Sequence, residues 1–232
     1  MPTWLPSSDR ALNAAHQAAI DPATWLPAAG AVALGISGLD DNVTDWASDE
    51  TPLFGNQERA SNASDHLRDG LKLGMAATAM FAPINGAYRQ FPGRRLAANA
   101  LAIVSSEETV QGLKDLVGRE RPDESNDKSF PSNHTVEAVA SATLIRRNLA
   151  PSIQPPKIRA SFNAAMVGAG ALVGWARIEA DKHYPSDVLT SAALGNFFAQ
   201  SFYLALVDDE DAPSVQFTPE PDGLTLIFAK TF

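Results

Sequence analysis

Three long runs of the sequence carry no charged side chain: residues 73–88, 160–176 and 188–207. Each run approaches the length that could cross a bilayer as a helix. Polar amides interrupt these runs, with Asn163 in the second and Asn196 and Gln200 in the third. Such side chains, mixed with small residues, favour helices that pack closely against one another over helices that face lipid. The runs therefore predict a soluble helical bundle, in agreement with a mean hydropathy of −0.11.

Helix signals elsewhere divide the chain into one helical domain and a short tail. Apolar spacing, caps and proline breaks predict helices at 8–20, 24–38, 66–81 and 96–117, one after His134 and one after Pro185. A chain of 232 residues needs no second core. We therefore expect an all-α fold, with a helical domain over residues 1–207 and an acidic linker with a tail over 208–232. Alternation at Leu224, Leu226 and Phe228 predicts a short β-hairpin in that tail.

The segment 39–65 is acidic and shows no clear helical spacing. It is predicted to be a long loop that covers a site, binds a partner or serves as a solvated connection. Asn62, Ser64 and Asp65 at its end are interpreted as caps for the helix that follows. The segment lacks the spacing of a calcium-binding EF-hand loop.

Composition excludes several classes of function. The formal net charge of −9 argues against nucleic-acid binding, because a protein that neutralises phosphates along a duplex needs a basic face. The chain has no cysteine, so thiol catalysis, thiolate metal sites and disulfides are excluded. A single small phosphate could still bind, since that requires only a positive local field.

The stretch from Trp175 to Asp187 contains the first candidate reaction centre, with the spacing Arg-x5-His-x3-Asp. Residues one helical turn apart share a face, so Asp187 is expected to accept a hydrogen bond from His183 and leave the other ring nitrogen free to attack. A carboxylate in this position also stabilises positive charge on the imidazole. Arg177 would hold an anion. The alternative is a surface histidine beside a helix cap.

A second stretch, from Lys114 to Pro122, contains two candidate anion-binding cations. Lys114 and Arg121 are expected to lie two helical turns apart, with Pro122 ending the helix, so that both face one pocket. The alternative is a solvated cationic face.

A third stretch, Pro131-Ser132-Asn133-His134, leads into a helix whose first N–H groups favour an anion. Ser132 is either a helix cap or a hydrogen-bond donor to an oxyanion. His134 beside it can give a proton to a leaving group.

Together the three stretches resemble the motifs of the type 2 phosphatidic acid phosphatases, which share an active site with bacterial class A acid phosphatases and vanadium haloperoxidases. The motifs occur in the family's order, as Lys-x6-Arg-Pro, Pro-Ser-x-His and Arg-x5-His-x3-Asp. The resemblance implies a helical bundle of the acid phosphatase/vanadium haloperoxidase type. Asn133 stands where the family usually has glycine, and Ala176 where it usually has serine. These differences bear on substrate shape and affinity.

The resemblance also implies a role for each residue. His183 attacks phosphorus and becomes a phosphohistidine, Asp187 orients it, and His134 protonates the departing alcohol and later activates water. The expected phosphate-binding residues are Lys114, Arg121, Ser132, Asn133 and Arg177. Neither a metal nor another cofactor is implied.

The implied activity is metal-independent hydrolysis of phosphomonoesters, with a lipid phosphate such as phosphatidic acid or phosphatidylglycerol phosphate favoured. Alternatives are a broad-specificity soluble acid phosphatase, a polyprenyl diphosphate phosphatase and a vanadium-dependent haloperoxidase. The C-terminal β-hairpin is expected to pack on the helical bundle, with contact to a membrane or to a partner as the alternative. Related bacterial enzymes work outside the cytoplasm, so the expected location is the periplasm or the membrane periphery. Residues 1–4 show no signal-peptide pattern, so this location presumes a removed leader.

Overall fold

The computed structural model describes residues 5–82, 92–153, 155–207, 214–220 and 223–229. Within these ranges the chain forms eight α-helices followed by two short strands. The helices are α1 (Ser8–Ile20), α2 (Pro22–Ser37), α3 (Leu39–Glu50), α4 (Gln57–Phe81), α5 (Pro92–Val117), α6 (Asn133–Leu149), α7 (Pro156–Glu179) and α8 (Pro185–Leu206). The strands are β1 (Ser214–Glu220) and β2 (Gly223–Ala229). The prediction of a helical fold is confirmed for the described residues up to 207.

Helix α6 lies at the centre of the bundle and packs against α4, α5, α7 and α8. Leu144 belongs to one buried cluster with Tyr203, and its neighbour Ile145 belongs to a second cluster with Val173. Because successive side chains on a helix point in different directions, α6 is buried on more than one side. This central helix carries His134 in its first turn.

Two glycines allow α6, α7 and α8 to approach closely. A Cβ atom added at Gly195 of α8 would lie 2.6 Å from the backbone oxygen of Val136 on α6. A Cβ atom added at Gly174 of α7 would overlap the side chain of Val188 on α8. The small residues of the uncharged runs therefore serve helix packing.

Buried amides connect α8 to the start of α2. Asn196 Nδ2 donates to Thr24 Oγ1 at 2.8 Å, and Gln200 Nε2 donates to Asp21 Oδ2 at 3.2 Å. Asp21 also caps α2 by accepting a hydrogen bond from the N–H of Ala23 at 2.8 Å. The prediction that these amides belong to closely packed helices is confirmed.

No single helix within the described ranges is long and apolar enough to cross a membrane. Helices α1 and α2 together reach that length and composition, but the chain bends by 56° between them. Helix α2 is the more apolar of the two, because it contains no charged residue.

The predicted loop over residues 39–65 is wrong. Helix α3 and the first part of α4 occupy this segment, and residues 51–56 connect them. Asp40 and Asp41 lie in the first turn of α3, where the partial positive charge of the helix end stabilises carboxylates. Asn56 caps α4 by accepting a hydrogen bond from the N–H of Arg59 at 2.8 Å. The acidic residues that suggested a solvated loop therefore begin a helix.

The apolar spacing of α5 predicts a core-facing side with Leu101, Val104 and Val110, extended by Leu116, and among these four the structure buries Val110. Leu101, Val104 and Leu116 are exposed. One row of residues that α5 buries recurs one helical turn apart and is mostly small: Ala98, Ala102, Ser106, Val110 and Lys114. Arg95, Asn99 and Ile103 are buried beside this row. The small side chains of the row let α5 pack closely on α6 and α8, and Leu101, Val104 and Leu116 lie on its outer side.

The backbones of β1 and β2 pair antiparallel, with Val215 opposite Phe228 and Glu220 opposite Gly223. The acidic run between α8 and β1 lies outside the described residues. The packing of this strand pair on the helical bundle stays a prediction, and so does the division of the chain at residue 207.

Candidate active site

His183 lies in the connection between α7 and α8, where it is 1% exposed. Its Nδ1 is 2.6 Å from the backbone oxygen of Ser129 and 3.7 Å from Oδ2 of Asp187. Nδ1–H therefore donates to Ser129, and Nε2 makes no hydrogen bond to a described residue. The hydrogen bond predicted from His183 to Asp187 goes to Ser129 instead, because His183 precedes α8 and does not share a helical face with Asp187. At 3.7 Å Asp187 still acts on the ring as a neighbouring charge.

Asp187 lies in the first turn of α8 and is fully buried. Its Oδ1 accepts a hydrogen bond from Arg119 Nη1 at 2.7 Å, and its Oδ2 accepts from Ser129 Oγ at 2.5 Å and from the N–H of Tyr184 at 2.9 Å. Burial opposes ionisation, but His183, Ser129 and the charge of Arg119 outweigh it and lower the pKa of Asp187. Ser129 thus contacts Asp187 through its hydroxyl and His183 through its carbonyl.

The imidazole of His183 is neutral near pH 7. Burial lowers its pKa from 6.5 to about 4, against the opposing effect of Asp187. The positive charges of Arg177 and Arg121 lower the pKa further. A neutral ring with a free Nε2 has the lone pair that nucleophilic attack requires.

Lys114, near the end of α5, is 5% exposed. Its Nζ donates to the backbone oxygens of Lys128 at 2.7 Å and Pro131 at 2.5 Å. Burial and the charge of Arg121 lower the pKa of Lys114 to about 8. The ammonium group is therefore fixed by carbonyl groups beside the start of α6.

Arg121 was predicted to lie two helical turns beyond Lys114, but α5 ends at Val117 and Gly118 adopts a φ of +57°. Such a conformation favours glycine and ends the helix. Arg121 follows in a loop, where its Nε donates to Asn126 Oδ1 at 2.9 Å. Burial lowers the pKa of Arg121.

Arg177 lies in the last turn of α7 and is 5% exposed. Its Nη1 donates to Ser64 Oγ at 3.2 Å and to Ser61 Oγ at 3.4 Å. Its Nε is buried without a hydrogen-bonding partner among the described residues. Burial and the charge of Arg121 lower the pKa of Arg177 to about 10. Ser64 is thus a partner of Arg177 from inside α4, and its prediction as a helix cap is wrong.

The positive groups and both imidazoles lie in one electrostatic environment. Burial is the main cause that lowers the pKa of His134 and of His183, and Arg177 adds to the effect at both rings. The positive charge of Arg121 likewise lowers the pKa of Lys114, of Arg177 and of His183. Lys114 donates to the backbone oxygen of Pro131 and His183 to that of Ser129, so the structure brings residues of the three sequence stretches to one part of the bundle.

His134 begins α6 and meets two charged residues of α4. Its Nε2 lies 2.6 Å from Asp65 Oδ1 and 2.6 Å from Arg68 Nη1. Burial, then Arg177, lowers the pKa of His134, whereas Asp65 raises it. Asp65 was predicted to cap a helix, but it lies inside α4 and contacts the imidazole instead.

Ser132 acts as the N-cap of α6. Its Oγ accepts from Thr135 Oγ1 at 3.1 Å and from the N–H of Thr135 at 3.5 Å, and its own N–H donates to Ser191 Oγ at 2.7 Å. Asn133 follows as the first residue of the helix, with its Oδ1 buried and unpaired among the described residues. The capping alternative for Ser132 is confirmed, and phosphate binding by Ser132 and Asn133 stays a prediction.

Four side chains around the site were missed from the sequence: Asp40, Asp65, Arg119 and Ser129. Arg119 and Ser129 lie within or beside the motif stretches, so their position in the sequence could have identified them. Asp40 and Asp65 come from α3 and α4, and no spacing connects them to the motifs.

The described residues contain no group of three or more His, Asp or Glu side chains arranged to hold a metal ion. Asp40 and Asp187 each pair with Arg119, and Asp65 contacts His134. The carboxylates near the two histidines therefore have protein partners.

Comparisons with known proteins agree with the motifs. The profile of the PAP2 superfamily matches residues 95–210, which is half of the 232-residue chain. The lipid A 1-phosphatase of Porphyromonas gingivalis (strain ATCC 33277) is 35% identical over 103 residues. That match covers 44% of this chain and 22% of the relative, so it spans about a fifth of that protein's length.

A solved structure shares the fold. The crystal structure of a transmembrane PAP2 type phosphatidylglycerolphosphate phosphatase from Bacillus subtilis matches 79% of this chain and 92% of its own, with a TM-score of 0.58 and 20% identity. At that identity the likeness shows a common helical fold. The profile match contains every predicted site residue from Lys114 to Asp187. The chain therefore belongs to the PAP2 superfamily.

Proposed function

We propose that this chain is a metal-independent phosphatase that hydrolyses phosphomonoesters through a phosphohistidine intermediate. The supporting observation is a set of three cations beside a buried, neutral imidazole. Within the described residues, Lys114, Arg121 and Arg177 are held by carbonyl, amide and hydroxyl oxygens, and none of them pairs with a carboxylate. Buried charge without a counterion is costly, and a phosphate dianion would supply the missing charge.

In the first step His183 acts as the nucleophile. Its Nε2 lone pair bonds to phosphorus, and the bond from phosphorus to the ester oxygen breaks with its electrons moving to that oxygen. The Nδ1–H bond to Ser129 holds the tautomer that leaves Nε2 free. His134 gives its proton to the departing oxygen, so an alcohol leaves and phosphohistidine remains.

In the second step the intermediate is hydrolysed. The neutral His134 takes a proton from water, and the oxygen of that water bonds to phosphorus. The bond between phosphorus and Nε2 breaks, which releases inorganic phosphate and restores the neutral ring of His183. His134 is protonated again, ready for the next cycle.

The three cations would hold the equatorial oxygens of the transferring group, where negative charge is spread in the transition state. With a pKa of about 8, Lys114 is mostly charged at neutral pH. Arginine offers planar pairs of N–H donors that match phosphate oxygens. Ser132 and Asn133 are proposed as further contacts at the start of α6.

A lipid phosphate is the proposed substrate class. The two similar proteins are a lipid A 1-phosphatase and a phosphatidylglycerolphosphate phosphatase. On this chain, α2 exposes large apolar side chains: Trp25, Leu26, Val32 and Ile36. A cavity of about 540 Å³, lined almost entirely by apolar groups, lies among α2, α6, α7 and α8, and cavities of this size accept small ligands. A lipid substrate would place the chain at a membrane, and we propose the extracytoplasmic membrane periphery.

A substrate panel tests both parts of the proposal. Phosphatidic acid and phosphatidylglycerol phosphate in detergent micelles are compared with p-nitrophenyl phosphate, all in the presence of EDTA. Release of phosphate from each, with the lipids preferred in kcat/KM, is the expected result. Activity lost with EDTA and restored by a divalent cation would overturn the metal-independent reaction. Preference for the soluble ester would favour a broad-specificity acid phosphatase.

The intermediate is tested separately with ³²P-labelled substrate and a rapid denaturing quench. We expect label on the protein that is stable in base and labile in acid, as a phosphorus–nitrogen bond requires. His183→Ala should remove the label, and His16→Ala, an exposed histidine of α1, should retain it. Label that survives His183→Ala would exclude His183 as the nucleophile.

A further inference from the structure

Arg119 joins two buried carboxylates beside His183. Its Nη1 donates to Asp187 Oδ1 at 2.7 Å, and its Nη2 donates to Asp40 Oδ2 at 3.0 Å. The guanidinium also stacks on Tyr184, with Cζ 3.8 Å from the ring centroid. Asp40 and Asp187 are 5% and 0% exposed, so water screens these charges weakly. These contacts fix the position of the guanidinium relative to Asp187.

Asp40 also connects α3 to the start of α8. Its Oδ1 accepts from the N–H of Ser186 at 2.9 Å, and its Oδ2 accepts from the hydroxyl of Ser186 as well as from Arg119. A buried carboxylate is stable only when charge and hydrogen bonds replace its lost hydration. Among the described residues, the cation that pairs with Asp40 is Arg119, which Asp187 shares. Asp40 lies outside the residues that match the family profile.

We propose that Asp40 and Arg119 are positioning residues for the nucleophile: Arg119 holds Asp187 beside Ser129 and His183, and Asp40 offsets the charge of Arg119. This inference rests on the proposed phosphohistidine reaction. Two carboxylates share one guanidinium, so the three groups together are anionic. When Nε2 of His183 bonds to phosphorus, the ring becomes cationic and the four groups become neutral. Without Asp40, the cation would form beside an Arg119–Asp187 pair that is already neutral.

Among the described residues, the strongest effects of other charges on His183 come from two arginines and from Asp187. Arg177 from α7 and Arg121 from the loop after α5 both disfavour a cationic ring, and Asp187 from α8 favours it. Lys114 at the end of α5 adds positive charge near Arg121 and Asp187. An anionic Asp40–Arg119–Asp187 group therefore supplies negative charge to the imidazolium against these cations.

Opposite charge changes test this arrangement. Asp40→Asn removes a negative charge and Arg119→Gln removes a positive one, although both break the same contact between the two side chains. We expect the pKa of His183 to fall in Asp40→Asn and to rise in Arg119→Gln. The pKa can be read by NMR of protein labelled with ¹⁵N in its imidazoles, since the chain has only four histidines. Shifts in the same direction in both variants, or no shift in either, would overturn the proposal.

Two further variants separate charge from packing. Ser186→Ala removes the hydroxyl that contacts both Asp40 and Arg119 without changing a charge, so the pKa of His183 should stay in place. Asp40→Glu keeps the charge and should also leave the pKa of His183 in place. If Asp40→Asn fails to fold, the comparison of Arg119→Gln with Ser186→Ala decides, because only Arg119→Gln should raise this pKa. A shift in Ser186→Ala as large as that in Asp40→Asn would assign the effect to packing and overturn the proposal.

Kinetics test the positioning role. In single-turnover labelling, Asp40→Asn should slow phosphohistidine formation about ten-fold to hundred-fold, by analogy with the loss of a hydrogen-bonding partner that orients a metal-bound histidine. KM should change little, because neither residue is expected to touch phosphate. Arg119→Lys should recover part of the rate lost in Arg119→Gln. If the wild type forms phosphohistidine and both Asp40→Asn and Arg119→Gln form it at the normal rate, the inference is refuted and the proposed function stands. Absence of phosphohistidine in the wild type would refute the proposed function, and the NMR shifts would still test the electrostatic arrangement.

Discussion

Asp65 of α4 and His134 of α6 meet at 2.6 Å between Oδ1 and Nε2, and Arg68 Nη1 lies 2.6 Å from the same nitrogen. One ring nitrogen cannot donate and accept a hydrogen bond at once. The protonated ring donates to Asp65, whereas a neutral ring with its hydrogen on Nδ1 accepts from Arg68. The charge of His134 is therefore coupled to the neighbour that it binds.

Asp65→Asn should move the pH dependence of the phosphorylation step to lower pH. Asp65 raises the pKa of His134, against burial and Arg177, so its loss lowers that pKa further. A general acid must be protonated, and its contribution is lost as pH rises through its pKa. The alkaline limb of the single-turnover rate should therefore shift to lower pH in this variant. Arg68→Gln removes a charge that lowers the same pKa and should shift the limb upwards. Shifts of the same sign in both variants would contradict this account.

Arg177→Lys should impair catalysis without loss of stability. The substitution keeps the charge but removes the planar fork and the unpaired Nε, which are suited to two phosphate oxygens. We expect kcat/KM to fall about 10²–10³-fold, the usual effect of removing one donor to a developing anion. Vanadate should inhibit the variant more weakly than the wild type. Arg159→Lys, on the exposed start of α7, is the matched control and should keep full activity. A fall of less than about three-fold in Arg177→Lys would remove Arg177 from the binding site.

The motif residues could be predicted because nucleophile, acid and cations must be particular residue types in a particular order. The partners that hold them could not be predicted in the same way. Nδ1 of His183 donates to the backbone carbonyl of Ser129, and a residue of any type has such a carbonyl. Asp65 comes from a helix with no motif of its own, so only the packing of α4 on α6 reveals its contact.

Apolar spacing and helix-breaking residues predict the helix positions where a helix has one apolar and one polar face. Apolar spacing gives the wrong buried side where helices pack through small residues. On α5 the sequence favours Leu101 and Val104 as the buried side, yet close packing selects Ala102 and Ser106. Over residues 39–50 the acidic residues suggested solvent, whereas Asp40 is buried by its pairing with Arg119. Tertiary contacts, absent from a local pattern, decide both cases.

Gly195→Ala should destabilise the fold. Its Cβ would lie 2.6 Å from the backbone oxygen of Val136 and 3.1 Å from the backbone nitrogen of Ala140, and backbone atoms of a central helix cannot move aside cheaply. We expect a loss of about 1–3 kcal/mol in the free energy of unfolding, the usual cost of overpacking. Gly112→Ala on α5 meets no atom within 4 Å and should instead stabilise the protein by about 0.5–1 kcal/mol. Urea unfolding measures both. Equal effects in the two variants would contradict the close contact between α6 and α8.

His183 should make the fold sensitive to mild acid. Its folded pKa is about 4, below the ordinary value of 6.5, so between these values the unfolded chain binds a proton that the folded chain does not. The free energy of unfolding therefore falls as pH drops from 6.5 towards 4, by about 3 kcal/mol over the whole window, and this contribution is constant above it. His183→Gln cannot be protonated and should lose much less stability between pH 7 and pH 4.5 in urea titrations. His16→Gln, a change of an exposed histidine, should follow the wild type. Equal losses in wild type and His183→Gln would mean that the pKa of His183 is the same in the folded and the unfolded chain, which would contradict the lowering of this pKa by burial.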